Sequence, residues 1–197
     1  MEKKLSKAIK RIIDFSGALV GLIIFSPLFF IIAFLIKIDS RGPIFFLQQR
    51  PGKDARLFFV IKFRTMAEGA EKFGLDLDEN NPRITCLGRI LRRWHFDEIP
   101  QLINVFLGQM SFVGPRPPMV SEVNKDDEFE KQRFLVKPGL AGWAQIHGGN
   151  RLSWQERVKY DAWYVNNWSL LLDLRIFLIS LWRIIFLGKG LYKDKNK

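Results

Sequence analysis

The chain has little that could staple or subdivide it. One cysteine, Cys86, occurs in 197 residues, so no intrachain disulfide can form and a reducing compartment is the simple reading. No internal repeat and no second domain can be discerned, and the length suits one domain with a real core. Acidic residues are outnumbered, 20 against 31 basic, for a net charge of +11. That imbalance calls for an anionic partner: nucleic acid, an anionic bilayer or a phosphorylated small molecule. No small-x-small cleavage site follows the apolar N-terminal run, which argues against a cleaved signal peptide. A second clean apolar run is also lacking, because Asp173, Arg175 and Arg183 interrupt the C-terminal one, so a second membrane span is not expected.

Apolar and aromatic residues are plentiful. At 48% hydrophobic, with 18 Phe and six Trp, the chain is too greasy for a typical nucleic-acid module. Interfacial Trp with Lys and Arg suits a protein lying on a phospholipid membrane. Phe15 to Ile36 contains no charged residue and, as one helix, would reach about 33 Å, sufficient to cross a bilayer core of about 30 Å. Two features oppose a simple crossing. Pro27 removes a backbone donor and leaves the Ile23 carbonyl without its partner, a gap the Ser26 hydroxyl can fill. Lysines and arginines flank the run on both sides (Lys3, Lys4, Lys7, Lys10 and Arg11 before it, Lys37, Arg41, Arg50 and Lys53 after it), against the positive-inside rule for a single crossing. A re-entrant hairpin broken at Ser26-Pro27 removes the conflict.

The densest chemistry lies between Leu91 and Pro118, LRRWHFDEIPQLINVFLGQMSFVGPRPP. Asp97 and Glu98 are adjacent carboxylates, with Arg92, Arg93 and His95 upstream and Arg116 in a proline-clamped turn downstream. Guanidinium forks match phosphate oxygens, and a carboxylate serves as a hard ligand for a divalent cation or as a nucleophile toward phosphorus. The group therefore suits a phosphoanhydride handled through a metal. The same residues also suit a plain surface ion-pair cluster beside a helix start. Pro100 favours a first-turn position, placing the pair just ahead of a helix over Gln101 to Leu107, whose positive end favours ionised carboxylates and bound phosphate. Adjacent side chains diverge, so the two acids are expected to divide their labour.

The rest of the body reads as short elements. Ile44 to Leu47 and Leu57 to Ile61 predict a small β-hairpin around the PGKDA turn, with Gln49, Arg50, Lys62 and Arg64 near the strand ends, where they can converge on a pocket. Met66 to Phe73 predicts a short helix, Gly74 to Pro82 an acidic solvated loop, and Ile84 to Arg93 a helix with Ile84, Leu87 and Leu91 on one stripe. Ser121 to Val136 predicts a charged helix capped by Ser121, with Phe129 and Phe134 facing inward. Lys137 to Arg151 reads as a glycine-rich loop in which Trp143 packs on nucleobase, lipid or core. Ser153 to Leu187 is helical, and its last part suits an amphipathic helix in the interface or a buried core helix.

The ordered run of Arg-Arg, Asp-Glu, Pro-Gln, Asn-Val, Met-Ser and Gly-Pro-Arg-Pro resembles the signature of the bacterial sugar transferase family. These are monotopic phosphoglycosyl transferases that start glycan assembly on polyprenyl phosphate. The similarity extends to FFLQQRPG, KFRTM, VKPGLAGWAQIHG and YVNNWSLLLDL, which covers nearly the whole chain. The resemblance implies an α+β, mostly helical fold: a membrane-embedded re-entrant helix over 1–40, a catalytic domain over 41–190 forming one unit with it, and a basic tail over 191–197. It implies transfer of a sugar 1-phosphate from a UDP-sugar to polyprenyl (undecaprenyl) phosphate at the cytoplasmic face of the bacterial inner membrane, with UMP released. By the same resemblance Asp97 is the nucleophile that forms an aspartyl phosphosugar, Glu98 a Mg²⁺ ligand, and Arg92, Arg116, Lys62, Arg64, Gln49 and Arg50 bind phosphate or substrate. Downstream glycosyltransferases are further expected partners. One departure stands out: the family has Gly-Arg-Asn where this chain has Gly148-Gly149-Asn150, so an arginine is missing at position 149 and Arg151 follows instead. His95 falls at a variable position and is read as packing beside the pair. Two competing functions stay open: a metal-dependent glycosyltransferase that releases UDP, and a basic membrane-bound adaptor without chemistry.

Overall fold

The computed structural model describes residues 2–70, 81–124 and 127–187. Seven α-helices and four strands are assigned among them: α1 (Glu2–Asp39), β1 (Phe45–Pro51), β2 (Leu57–Phe63), α2 (Cys86–Arg93), α3 (Gln101–Phe106), β3 (Ser111–Val113), α4 (Glu128–Arg133), β4 (Gly139–Ala141), α5 (Trp143–Ile146), α6 (Trp154–Asn166) and α7 (Leu170–Leu187).

α1 is one uninterrupted helical element with Pro27 inside it. The Ser26 hydroxyl donates to the Ile23 carbonyl at 2.8 Å, supplying the bond that proline removes. The hairpin expected at Ser26-Pro27 is thus not marked by any end of the helix. Instead, one face of α1 lies on the body near both ends. Lys10 Nζ bonds Val113 O and Asp173 Oδ2, Arg11 bonds the carbonyls of Val105 and Phe106, and Asp14 Oδ1 accepts from Ser111 Oγ and Phe112 N. Further along, Ile32 and Ile36 join Phe63 and Leu91 in a buried cluster. The opposite face, including Ile23, Phe30, Phe34 and Ile38, is exposed and apolar.

β1 and β2 pair antiparallel, with Phe46 opposite Lys62 and Gln48 opposite Val60. The strands run beyond the predicted ends at Leu47 and Ile61. The buried Asn104 of α3 continues the ladder at the edge of β2: its Oδ1 accepts from Ile61 N at 3.0 Å and its Nδ2 donates to Phe59 O at 2.7 Å. That side chain fixes α3, and the residues just before it, against β2. α2 lies so close to the chain leaving β2 that a Cβ on Gly88 would fall 2.0 Å from the Thr65 carbonyl oxygen; only glycine fits.

The glycine-rich stretch after Lys137 is structured rather than loop. β4 pairs parallel with β3, with Gly139 against the Gly114 backbone, where a Cβ would meet nitrogen at 2.1 Å; α5 follows directly. The charged helix expected from Ser121 is also shorter. A 3-10 turn covers Val120–Glu122, and α4 begins after Asp127, whose carboxylate caps Phe129 N and Glu130 N. Phe129 is exposed, not inward, while Phe134 is half-buried. Residues 66–69 form a bridge from Met66 to Ile84 and a turn, and helical geometry, of the 3-10 kind, first appears at Ala70. The remainder of that predicted helix, the acidic loop over 74–80 and the basic tail lie outside the described residues. α7 buries Ile176 and exposes Leu171, Leu174, Leu178 and Ile185, so its outward face is apolar as well as its inward one.

Candidate active site

Asp97 and Glu98 sit on a 3-10 turn, Phe96–Glu98, between α2 and α3, as the proline position predicts. His95 enters that turn in the left-handed region at φ 56°, where the chain reverses out of α2. Burial lowers the His95 pKa, with Glu98 opposing and Arg116 and Lys62 adding to the fall, so the imidazole is neutral at physiological pH and packs beside the pair.

The two carboxylates have different surroundings, as their divergence requires. Glu98 is gripped by cations from two other elements. Lys62 Nζ on β2 donates to Oε1 at 2.7 Å, and Arg116 donates through Nη2 to Oε1 at 2.6 Å and Nη1 to Oε2 at 3.2 Å. Burial alone would raise its pKa, but Arg116 and Lys62 hold it well below the ordinary glutamate range. Asp97 is buried, and burial, with the Glu98 charge added, pushes its pKa up to about 6 against the pull of Lys62, Arg92 and Arg116. At neutral pH both acids are ionised, yet among the described residues only Glu98 is neutralised by direct contacts. Asp97 keeps an underpaired charge, the condition of a nucleophile.

Both line a cavity of about 720 Å³, ample for a nucleotide-sized ligand. Of the residues singled out from the sequence, Lys62, Arg64, Arg92, Arg116 and Arg50 also line it. Arg92 Nε donates to Thr65 Oγ1 at 2.8 Å, which orients its guanidinium beside the pair. Arg50 is braced by Gln48 and reaches the Pro117 carbonyl, steadying the loop that carries Arg116. Arg64 Nη2 bonds the carbonyl and hydroxyl of Ser40, tying the end of α1 to the site, while its buried Nε and Nη1 have no hydrogen-bond partner among the described residues. Gln49 is a correction. It is exposed and lies on the outer face of β1, because successive strand residues alternate, and Gln48 takes its place on the cavity wall. Ser26 and Pro27 lie in α1 and are not on the cavity wall.

Gly149 and Asn150 line the cavity, whereas Arg151 is exposed and is not on its wall. The cation at that end comes from α6: Arg157 lines the cavity. The same wall holds residues that the sequence reading passed over. Arg133 of α4 ion-pairs with Asp161 of α6 at 2.9 Å, both buried, and its guanidinium stacks 4.7 Å from the Trp154 ring centroid. Burial raises the Asp161 carboxyl to about 6 although Arg133 opposes it. The signal was present: Trp154, Arg157 and Asp161 recur at i, i+3 and i+7, one stripe of a helix. Trp143 stacks on Trp163 at 4.7 Å and packs on a buried cluster, which selects core among its three options.

Among the described residues no group of three or more His, Cys, Asp or Glu gathers. Mg²⁺ asks less, since one or two carboxylates with waters and substrate phosphates complete its shell. Glu98 Oε2, with a single 3.2 Å bond, beside Asp97 matches that donor set.

Comparison with known proteins identifies the family. The model of the family described as "Bacterial sugar transferase" matches residues 5–187. The chain is 37% identical over 188 residues to the uncharacterized sugar transferase EpsL of Bacillus subtilis, covering 95% of this chain and 92% of that protein. It is 39% identical to the UDP-N-acetylgalactosamine-undecaprenyl-phosphate N-acetylgalactosaminephosphotransferase of Aeromonas hydrophila, covering 92% of this chain and 44% of the relative. It is also 39% identical to the undecaprenyl-phosphate glucose phosphotransferase of Komagataeibacter xylinus, covering 90% of this chain and 36% of the relative. The chain thus spans nearly all of one relative and less than half of the other two, and within that span the arginines, the acid pair and the clamped Arg116 fall inside the family match. The chain belongs to the bacterial sugar transferase family.

Proposed function

We propose that this protein transfers a sugar 1-phosphate from a UDP-sugar to a polyprenyl phosphate through a covalent aspartyl phosphosugar on Asp97. The observation that carries the proposal is the contrast between the two acids: a buried, underpaired Asp97 on the cavity wall beside a Glu98 neutralised by Lys62 and Arg116. The Asp97 carboxylate attacks the β-phosphorus of the donor, the P–O bond to the α-phosphate breaks, and UMP leaves with the bridging oxygen. A polyprenyl phosphate oxygen then attacks the same phosphorus and displaces Asp97, yielding the polyprenyl diphosphosugar and the free carboxylate. Lys62, Arg92 and Arg116 bind phosphate oxygens and meet the charge that builds on them. Mg²⁺ bound at Glu98 would neutralise the diphosphate.

The packing of α1 supports a monotopic arrangement. A 38-residue helix is about 57 Å long. Because the body touches it at Lys10 and again at Ile36, a straight crossing would pull the body into the hydrocarbon core. Entry and exit by the cytoplasmic face, bending at Ser26-Pro27, keeps the dyad at headgroup height, where a soluble donor meets a lipid acceptor. The exposed apolar faces of α1 and α7 provide the contact with lipid.

The test is product identity. Purified protein with a panel of UDP-sugars and undecaprenyl phosphate is expected to release UMP. Release of UDP would instead establish transfer of the sugar alone, and retention of full activity by Asp97→Ala would overturn the proposal.

A further inference from the structure

Where α4, α5 and α6 form the cavity wall, three buried polar atoms lack hydrogen-bond partners among the described residues: Arg133 Nε and Nη1, both donors, and Gln145 Oε1, an acceptor. Nε is met by Asp161 Oδ2 as an ion pair at 2.9 Å, which leaves Nη1 and Gln145 Oε1. Both residues line the cavity, and Arg133 as a whole is 5% exposed. Each atom carries an unmatched desolvation cost until a ligand meets it. Neither residue is free to turn away. Arg133 is held through Nε by Asp161 at 2.9 Å, through Nη2 by the Arg116 carbonyl at 3.1 Å, and by its stack on Trp154. The Gln145 amide is oriented by Nε2 donating to the Leu140 carbonyl at 3.3 Å, which leaves its oxygen, not its nitrogen, for a ligand.

We propose that this wall reads the base of the donor nucleotide, with Gln145 Oε1 accepting the N3–H of uracil and Arg133 Nη1 donating to a uracil carbonyl. The inference rests on the reading of the donor as a UDP-sugar and assigns where its base sits. An acceptor and a donor lining the same cavity match the imide edge of uracil, which presents an N–H flanked by two carbonyls. Cytosine presents an unprotonated N3 at that position and would set two acceptors against each other. Arg133 also links this wall to the chemistry, because the carbonyl it grips belongs to Arg116, whose guanidinium holds Glu98. Base recognition and the phosphate clamp therefore share one residue.

The experiment measures binding of UMP, CMP and N3-methyl-UMP to the detergent-solubilised full chain by calorimetry, with no sugar donor and no lipid acceptor. Wild type is expected to bind UMP at least about tenfold more tightly than either analogue, the scale of one buried hydrogen bond lost. Gln145→Leu should bring UMP down to the level of CMP, whereas Gln145→Glu, which keeps an acceptor oxygen, should retain the preference over N3-methyl-UMP. Equal wild-type affinity for UMP and N3-methyl-UMP would overturn the assignment without any variant having to fold. So would a Gln145→Leu protein of unchanged Tm that keeps the wild-type preference. If the assignment fails while Asp97 still becomes loaded from UDP-sugar, the base lies elsewhere and the phosphoryl-transfer reading stands. If neither occurs, the proposed function itself falls.

Discussion

Replacing Asp97 by asparagine should abolish turnover and at the same time stabilise the fold. Burial raises the Asp97 carboxyl from 3.8 to about 6, so the folded state binds that proton more tightly than the unfolded state does. The sign follows: the ionised acid opposes folding, fully above pH 6 and not at all below about pH 4. The rise corresponds to at most about 3 kcal/mol, and a neutral amide of the same shape should recover about 1–3 kcal/mol of it. In a protein of this size that means an increase in apparent Tm of about 2–4 °C per kcal/mol. The assay is thermal unfolding of wild type and Asp97→Asn in detergent with EDTA, at pH 8 and pH 4.5. A gain at pH 8 that shrinks at pH 4.5 is expected, as active sites are commonly held at a cost in stability. No gain at pH 8, or an equal gain at both, would refute the reasoning that burial leaves this charge underpaired.

Glu98→Gln should do the opposite. Its depressed pKa means stability that is present above its ordinary range and lost as pH falls through the folded value, so the variant should lose about 2–4 kcal/mol at pH 8 by leaving Lys62 and Arg116 facing each other, read as a lower Tm. Loading of the enzyme by donor should fall as pH drops below about 6, where Asp97 takes up its proton, and a pH–rate profile flat from 5 to 8 would exclude Asp97 as the ionised nucleophile. With Cys86→Ser as background, cysteines introduced at the exposed Leu5 and Asp54 should both react with an impermeant maleimide added to inverted vesicles, and neither in right-side-out cells. Labelling of Leu5→Cys from the opposite side would show that α1 crosses.

Much of the site was legible in the sequence because its key pieces are local. Asp97, Glu98 and Pro100 lie within one turn, and proline fixes the start of α3. The role of Ser26 was legible for the same reason, since a proline orphans a carbonyl at a fixed spacing. Strand ends were harder to place. β1 runs on to Pro51, so Gln49 and Arg50 fall on opposite faces, and only Arg50 meets the cavity. The β3–β4 pair escaped notice because three-residue strands carry no periodic signal and Gly139 reads as a loop residue, though its missing Cβ is what lets the two backbones touch. The Arg133–Asp161 ion pair joins residues of α4 and α6, and no local pattern announces a contact made only when the two helices pack.

The most direct measurement is mass analysis of the peptide carrying Asp97 after brief incubation with UDP-sugar in the absence of polyprenyl phosphate. The account predicts an added sugar phosphate on Asp97, formed together with UMP and discharged when undecaprenyl phosphate is supplied. Product formation at wild-type rate with Asp97 unmodified at every time point would contradict it.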